Sequence, residues 1–77
     1  MKWTFEIAGL DGDFRLFGVN IFRYSWRDCG ETAAVIDPHH GVEKRFHVYE
    51  VIIEGQVHRF AAGEFSNGVL GFYLPET

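Results

Sequence analysis

Four histidines, one cysteine and a scatter of carboxylates are the side chains in this sequence best suited to hold a metal or move a proton, so their spacing decides what chemistry is open. His39 and His40 are neighbours in a polar stretch, Asp37-Pro38-His39-His40-Gly41, where adjacent rings point apart. His47 and His58 belong to two different β segments, and Cys29 would have to come from a distant turn to complete a tetrahedral nitrogen and sulfur set. No motif implies a cofactor. Nucleophilic catalysis needs a Cys or Ser held by a His and a third orienting group. Cys29 stands between Asp28 and Gly30 with no such partners in its local sequence. Glu50 and Glu64 could share acid-base work only on one face of a sheet, and their spacing puts them on opposite faces. The stretch Gly63-Glu64-Phe65-Ser66-Asn67-Gly68 lacks the Lys-Ser/Thr ending and following helix of a phosphate loop, so it reads as a hairpin tip.

The elements that would position these groups are strands. Apolar residues alternate with polar ones between Gly, Asn and Asp punctuation, and nowhere do they keep a helical period over three turns. Trp3, Phe5 and Ile7 alternate with Lys2, Thr4 and Glu6, which predicts a strand over 2–9 turning at Asp11-Gly12. Pairing across that turn sets Ile7 against Leu16, Phe5 against Gly18 and Trp3 against Asn20, in a second strand running from 13 to 26. A turn at Asp28-Cys29-Gly30-Glu31 leads to a third strand over 32–36, which Pro38 ends. Strands over 44–53 and 56–63 flank Glu54-Gly55, and a sixth over 69–74 follows Asn67-Gly68.

Two-residue turns at both sites set Ile52 against Val57, Glu50 against Arg59, Val48 against Ala61, Phe65 against Leu70 and Gly63 against Phe72. One face then carries Phe46, Val48, Ile52, Val57, Ala61 and Phe65 with Leu70, Phe72 and Leu74, and is the expected core. Glu50 and Arg59 interrupt it and are expected to pair with each other. The other face holds Tyr49, His58, Phe60 and Tyr73, edged by His47 and Glu64. This strip is too apolar for a purely solvated surface. It is expected to be covered by the first three strands, to join a second copy, or to form a groove for a partner.

Seventy-seven residues make a single small β domain spanning 1–77. The expected fold is all-β: a small antiparallel barrel of SH3-like or OB-like kind, or a two-layer sandwich, of about six strands. Closure is favoured because it removes exposed edges. A scaffold this short leans on disulfides, metals, a second copy or an exceptional core. One cysteine excludes an internal disulfide, and eight Phe, three Tyr and two Trp supply the core. The lone cysteine, the absence of a stretch near the ~20 apolar residues of a membrane helix, and the lack of a basic-then-apolar start together predict a cytoplasmic chain without a membrane segment. A formal charge of −4 disfavours nucleic acid, because Arg15, Arg23, Arg27, Lys44, Arg45 and Arg59 form no run.

These features point to a non-enzymatic protein-interaction module or a small homo-oligomer, with a protein partner or its own copy on the aromatic strip. Tyr49, His58, Phe60 and Tyr73 are its anchors, and Phe60→Ala is expected to weaken association with the fold intact. Two other readings follow: a small-molecule or metal-binding barrel using His47, His58 and Glu64, and a weak single-stranded nucleic-acid binder.

Overall fold

A computed structural model describes residues 2–10, 14–66 and 68–76. The fold is all-β, with strands β1 (Trp3–Gly9), β2 (Arg15–Leu16), β3 (Val19–Asn20), β4 (Arg27–Ile36), β5 (Glu43–Ile53), β6 (Gln56–Glu64) and β7 (Leu70–Pro75). A 3₁₀ turn, Ile21–Arg23, separates β3 from β4. The main sheet is antiparallel in the order β1-β7-β6-β5-β4, and β2 and β3 form a small sheet of their own packed on it as a second layer. No helix among the described residues is long and apolar enough to cross a membrane.

The β5–β6 hairpin follows the expected register throughout, from Ile53 opposite Gln56 to His47 opposite Ala62. Its two-residue turn is made by Glu54 at φ 50° and Gly55 at φ 80°, the two left-handed positions that suit the twist of the strands. The next hairpin is one residue out of the expected register. Phe65 donates its backbone N–H to Val69, Val69 donates back to Ser66, and Gly68 takes φ 80°, so the loop is longer than two residues. Asn67 itself lies outside the described residues. The Glu64 carboxylate accepts from the Gly68 N–H at 2.6 Å and holds the tip. Glu64 therefore faces Leu70, and Ala61 faces Tyr73.

Because side chains alternate, that slip exchanges Phe72 and Tyr73 between the faces. Tyr73 joins Phe46, Val48, Ala61, Ala33 and Val35 in one buried cluster. Phe72 joins Val51, Ile53, Phe60 and Ala62 in the other. Ile52 and Val57, expected in the core, are 63% and 59% exposed at the end of the hairpin.

The turn expected at Asp11-Gly12 lies outside the described residues; the strands on either side of it are in different sheets, and β1 pairs with β7 instead of β2, from Trp3 opposite Pro75 to Gly9 opposite Leu70. A bulge at Glu6, between Phe5 and Ile7, turns the strand over. Trp3 and Phe5 thus pack with the Tyr73 cluster and Ile7 with the Phe60 cluster. Only a partner with apolar residues on both faces suits such a strand, and β7 has them. The long second strand breaks up as well. Phe17 at φ 55° and Gly18 at φ 79° turn β2 straight back on β3, and Phe14, Leu16 and Ile21 bury against the Phe60 face of the main sheet. The expected turn at 28–31 is a bulge inside β4, where Gly30 at φ 78° donates its N–H to the Asp28 carboxylate.

The main sheet curls around the Tyr73 cluster until its edges, β1 and β4, approach within 8 Å without sharing a ladder. Gly63 and Gly71 face each other inside the curl and are roofed by rings: a Cβ on Gly63 would meet Phe46 at 2.4 Å, and one on Gly71 would meet Phe65 at 2.3 Å. The Tyr73 hydroxyl crosses the interior and donates to the Ile36 carbonyl at 2.6 Å, tying β7 to the end of β4. Tyr73→Phe removes the donor to this part-buried carbonyl. The expected loss is about 0.5–1.5 kcal/mol, read as a lower denaturant midpoint at unchanged slope.

Candidate functional site

The residues singled out in the sequence separate in three dimensions. Phe60 is fully buried at the centre of its face, against Trp26, Tyr49 and Phe72. Tyr73 is buried on the opposite face and cannot share a surface with it. His58 is half-buried and stacked on Phe17 with ring centroids 4.4 Å apart. His47 is exposed, with Nδ1 3.4 Å from the Asp28 carboxylate. Glu64 is exposed and engaged with the Gly68 N–H. Of the six, only Tyr49 lines an open cavity on the Phe60 face. Glu50 and Arg59 are ladder partners as expected, yet they pair elsewhere: Glu50 with Arg27 and Arg59 with Glu31, both on β4.

Residues 14–26 cover most of the Phe60 face, which is the core reading of the strip. One end stays open. There a groove of about 160 Å³ has walls of Phe22, Trp26, Tyr49 and Leu70. Its floor is Phe72 with the small residues Ala62 and Gly63. The wall facing the sheet is built locally: the Asn20 side chain accepts from the Phe22 N–H at 3.0 Å and starts the 3₁₀ turn, which throws Phe22 out to 46% exposure. The Trp26 indole N–H donates back to the Ile21 carbonyl at 3.0 Å, fixing the ring with its polar atom turned away from the groove. Phe22 and Trp26 then stack, with centroids 5.4 Å apart and planes 20° from parallel. Trp26 and Tyr49 are also 5.4 Å apart, inclined at 54°.

Sequence reasoning missed Phe22, Trp26 and Leu70. Reading residues 13–26 as one strand hid the 3₁₀ turn; the available signal was Asn20, a residue that caps turns, directly before Ile21-Phe22-Arg23. Leu70 and Phe72 were put on the other face by the one-residue slip.

The His39-His40 loop is a structural corner. Asp37 is buried, and its carboxylate accepts from the His39 N–H at 2.8 Å, from the His40 N–H at 3.4 Å and from the His40 ring at 2.9 Å. Bonding to His40, aided by the backbone donors and opposed by burial, holds the Asp37 carboxyl below its ordinary value. Burial, and then the charge of Asp37, push the nearby Tyr73 phenol up. No three His, Cys, Asp or Glu among the described residues converge as a metal site. Comparison with protein-family models, with curated proteins and with solved structures gives no match.

Two outcomes follow. Phe60→Ala removes a fully buried ring and is expected to cost about 3–5 kcal/mol, so the variant fails to give a cooperative unfolding transition at 25 °C, contrary to the surface role read from sequence. A depressed carboxyl stabilises the fold in its charged form. Asp37's contribution is complete above the ordinary value of 3.8 and is gone once pH has fallen through the lower folded value. The gap in denaturant midpoint between wild type and Asp37→Asn should close on acidification through that range and stay constant from pH 5 to 6.

Proposed function

We propose that this chain is a protein-interaction module that takes one large side chain of a partner into the groove between Phe22, Trp26, Tyr49 and Leu70. The observation that carries this reading is the aromatic cavity itself, left open on a face that is otherwise covered. At about 160 Å³ it is below the roughly 300–1,000 Å³ of cofactor and small-molecule pockets, and of a size for a single side chain. Two of its walls, Trp26 and Tyr49, are of the types that dominate binding hot spots, and Phe22 is supplied beside them at half exposure by a capped turn. The turn, the Trp26 bond and the sheet floor hold the rings in place before binding, which lowers the entropy cost of association.

Selection from a displayed library of random peptides tests the proposal. Enriched binders should share one large side chain and lose at least tenfold in affinity to Phe22→Ser, with the melting temperature of the variant kept within a few degrees. Binders indifferent to both Phe22→Ser and Tyr49→Ser would overturn it. Light scattering over a dilution series identifies the partner's source: a dimer dispersed by Phe22→Ser makes the occupant a second copy of this chain.

A further inference from the structure

The main sheet is one strand short of a closed antiparallel barrel. Each of its strands is antiparallel to the next, which leaves the two edges, β1 and β4, running in the same direction. They approach within 8 Å and share no ladder. An antiparallel pairing between them is closed to this topology, and a strand antiparallel to both would complete the cycle of antiparallel ladders and remove the edges.

The hydrogen-bond phase of the ladders fixes what the seam presents. Along an antiparallel pair, residues alternate between aiming N–H and C=O at the partner and aiming them away. The Glu76 N–H donates to the Lys2 carbonyl at 2.8 Å, so Trp3, opposite Pro75, and Phe5, opposite Tyr73, aim away from β7. On the far edge the Asp37 N–H donates to the Val42 carbonyl at 2.9 Å, so Thr32, Ala34 and Ile36 aim away from β5. The Tyr73 hydroxyl finds the Ile36 carbonyl in that direction. Main-chain donors and acceptors of both edges thus face one seam.

The seam is hollow. A cavity of about 630 Å³ is lined by Trp3, Phe5, Ala34, Ile36 and Tyr73 among others, and a second, of about 260 Å³, meets it at Trp3 and Ala34. Arg59 lines the second, and its Nε is a buried donor without a partner; a backbone carbonyl is the kind of acceptor it lacks. A strand between the edges needs about 9.6 Å, twice the ladder spacing, so they part by roughly 2 Å where they are nearest. The Ile36 carbonyl then passes from the Tyr73 hydroxyl to the new strand. Trp3, Phe5 and Tyr73 already fill the inner side, which calls for small inward side chains. The described residues outside the main ladders are committed elsewhere, 14–26 to the Phe60 face and 37–42 to the Asp37 corner, so none of them supplies this strand.

We infer that an extended segment of a partner protein, matching 32–36 in length and small on its inward side, inserts between β1 and β4 as the sixth strand. The site is separate from the groove beside Phe22. Hydrogen exchange of the free protein gives the first readout: the Thr32, Ala34 and Ile36 amides should exchange at least tenfold faster than those of Ala33 and Val35, which point into the β5 ladder. Equal protection would show a seam already closed and overturn the inference. The second readout is selection from displayed octapeptides built from Gly, Ala, Ser, Thr and Val alone. None of these carries the large side chain that the Phe22 groove takes, so failure here leaves that module standing. An enriched peptide should protect the Ala34 amide and lose at least tenfold in affinity to Ala34→Pro, which removes an outward N–H, spares the β4–β5 ladder and keeps the melting temperature within a few degrees. N-methylation of any central peptide residue should cost as much, because successive residues bond to opposite edges; a loss at every second residue alone would restrict pairing to one edge and overturn insertion. No enrichment, or binding indifferent to Ala34→Pro, would overturn the site itself. A dimer in light scattering that Ala34→Pro disperses would make the sixth strand a second copy's and overturn the partner as its source.

Discussion

The Tyr73 hydroxyl reaches across the inside of a curled sheet to the carbonyl of Ile36, and much of the molecule is arranged around that crossing. It joins β7, next to the edge strand β1, to the last residue of the opposite edge strand, β4. The curl it fastens encloses Phe46, Val48 and Ala61 on the sheet, with Trp3 and Phe5 from one edge and Ala33 and Val35 from the other. Directly after Ile36, Asp37 turns the chain and satisfies the N–H groups of the two residues that follow Pro38. The phenol and the carboxylate are thus parts of one corner. The curl also explains the other layer: with the inner face filled from within the sheet, the outer face is left for residues 14–26 to cover, and these leave a gap between Phe22, Trp26 and Leu70.

What could be read from the sequence follows how local the deciding interaction is. The β5–β6 hairpin was legible residue by residue because Glu54-Gly55 forms its turn and the alternation on either side agrees with it. The neighbouring Asn67-Gly68 carries the stronger turn signal, but the loop is closed at Phe65 and Val69, and one extra residue was enough to move Tyr73 and Phe72 to the wrong sides. Phe17 gave no warning of a turn, since a large aromatic is an unusual occupant of a left-handed position and is held there by stacking on His58 and packing edge-on to Phe60. The pairing of β1 with β7 depends on residues more than sixty positions apart, and no local pattern contains it.

The candidate site shows the same division. That an aromatic strip lies on the Tyr49 face was readable, because Tyr49, Phe60 and Ala62 follow from the hairpin register. Which part of it remains open was not. Coverage is decided by the 3₁₀ turn and by Trp26, which arrive from a segment with no strand pairing to the strip. The small side chain of Ala62 leaves the hollow. Gly63 lines it with backbone alone, because its side-chain position points to the other face of the strand, where Phe46 fills the space.

The pairing of β1 with β7 has a consequence for the order in which the sheet can form. Trp3, Phe5 and Ile7 precede their ladder partners, Leu70 to Pro75, by more than sixty positions. The hairpins of β4, β5 and β6 join neighbouring stretches of sequence, but β1 has no ladder to dock on until β7 is available. Its docking is the most non-local step of the fold, and it closes the longest loop of any strand pairing in the sheet.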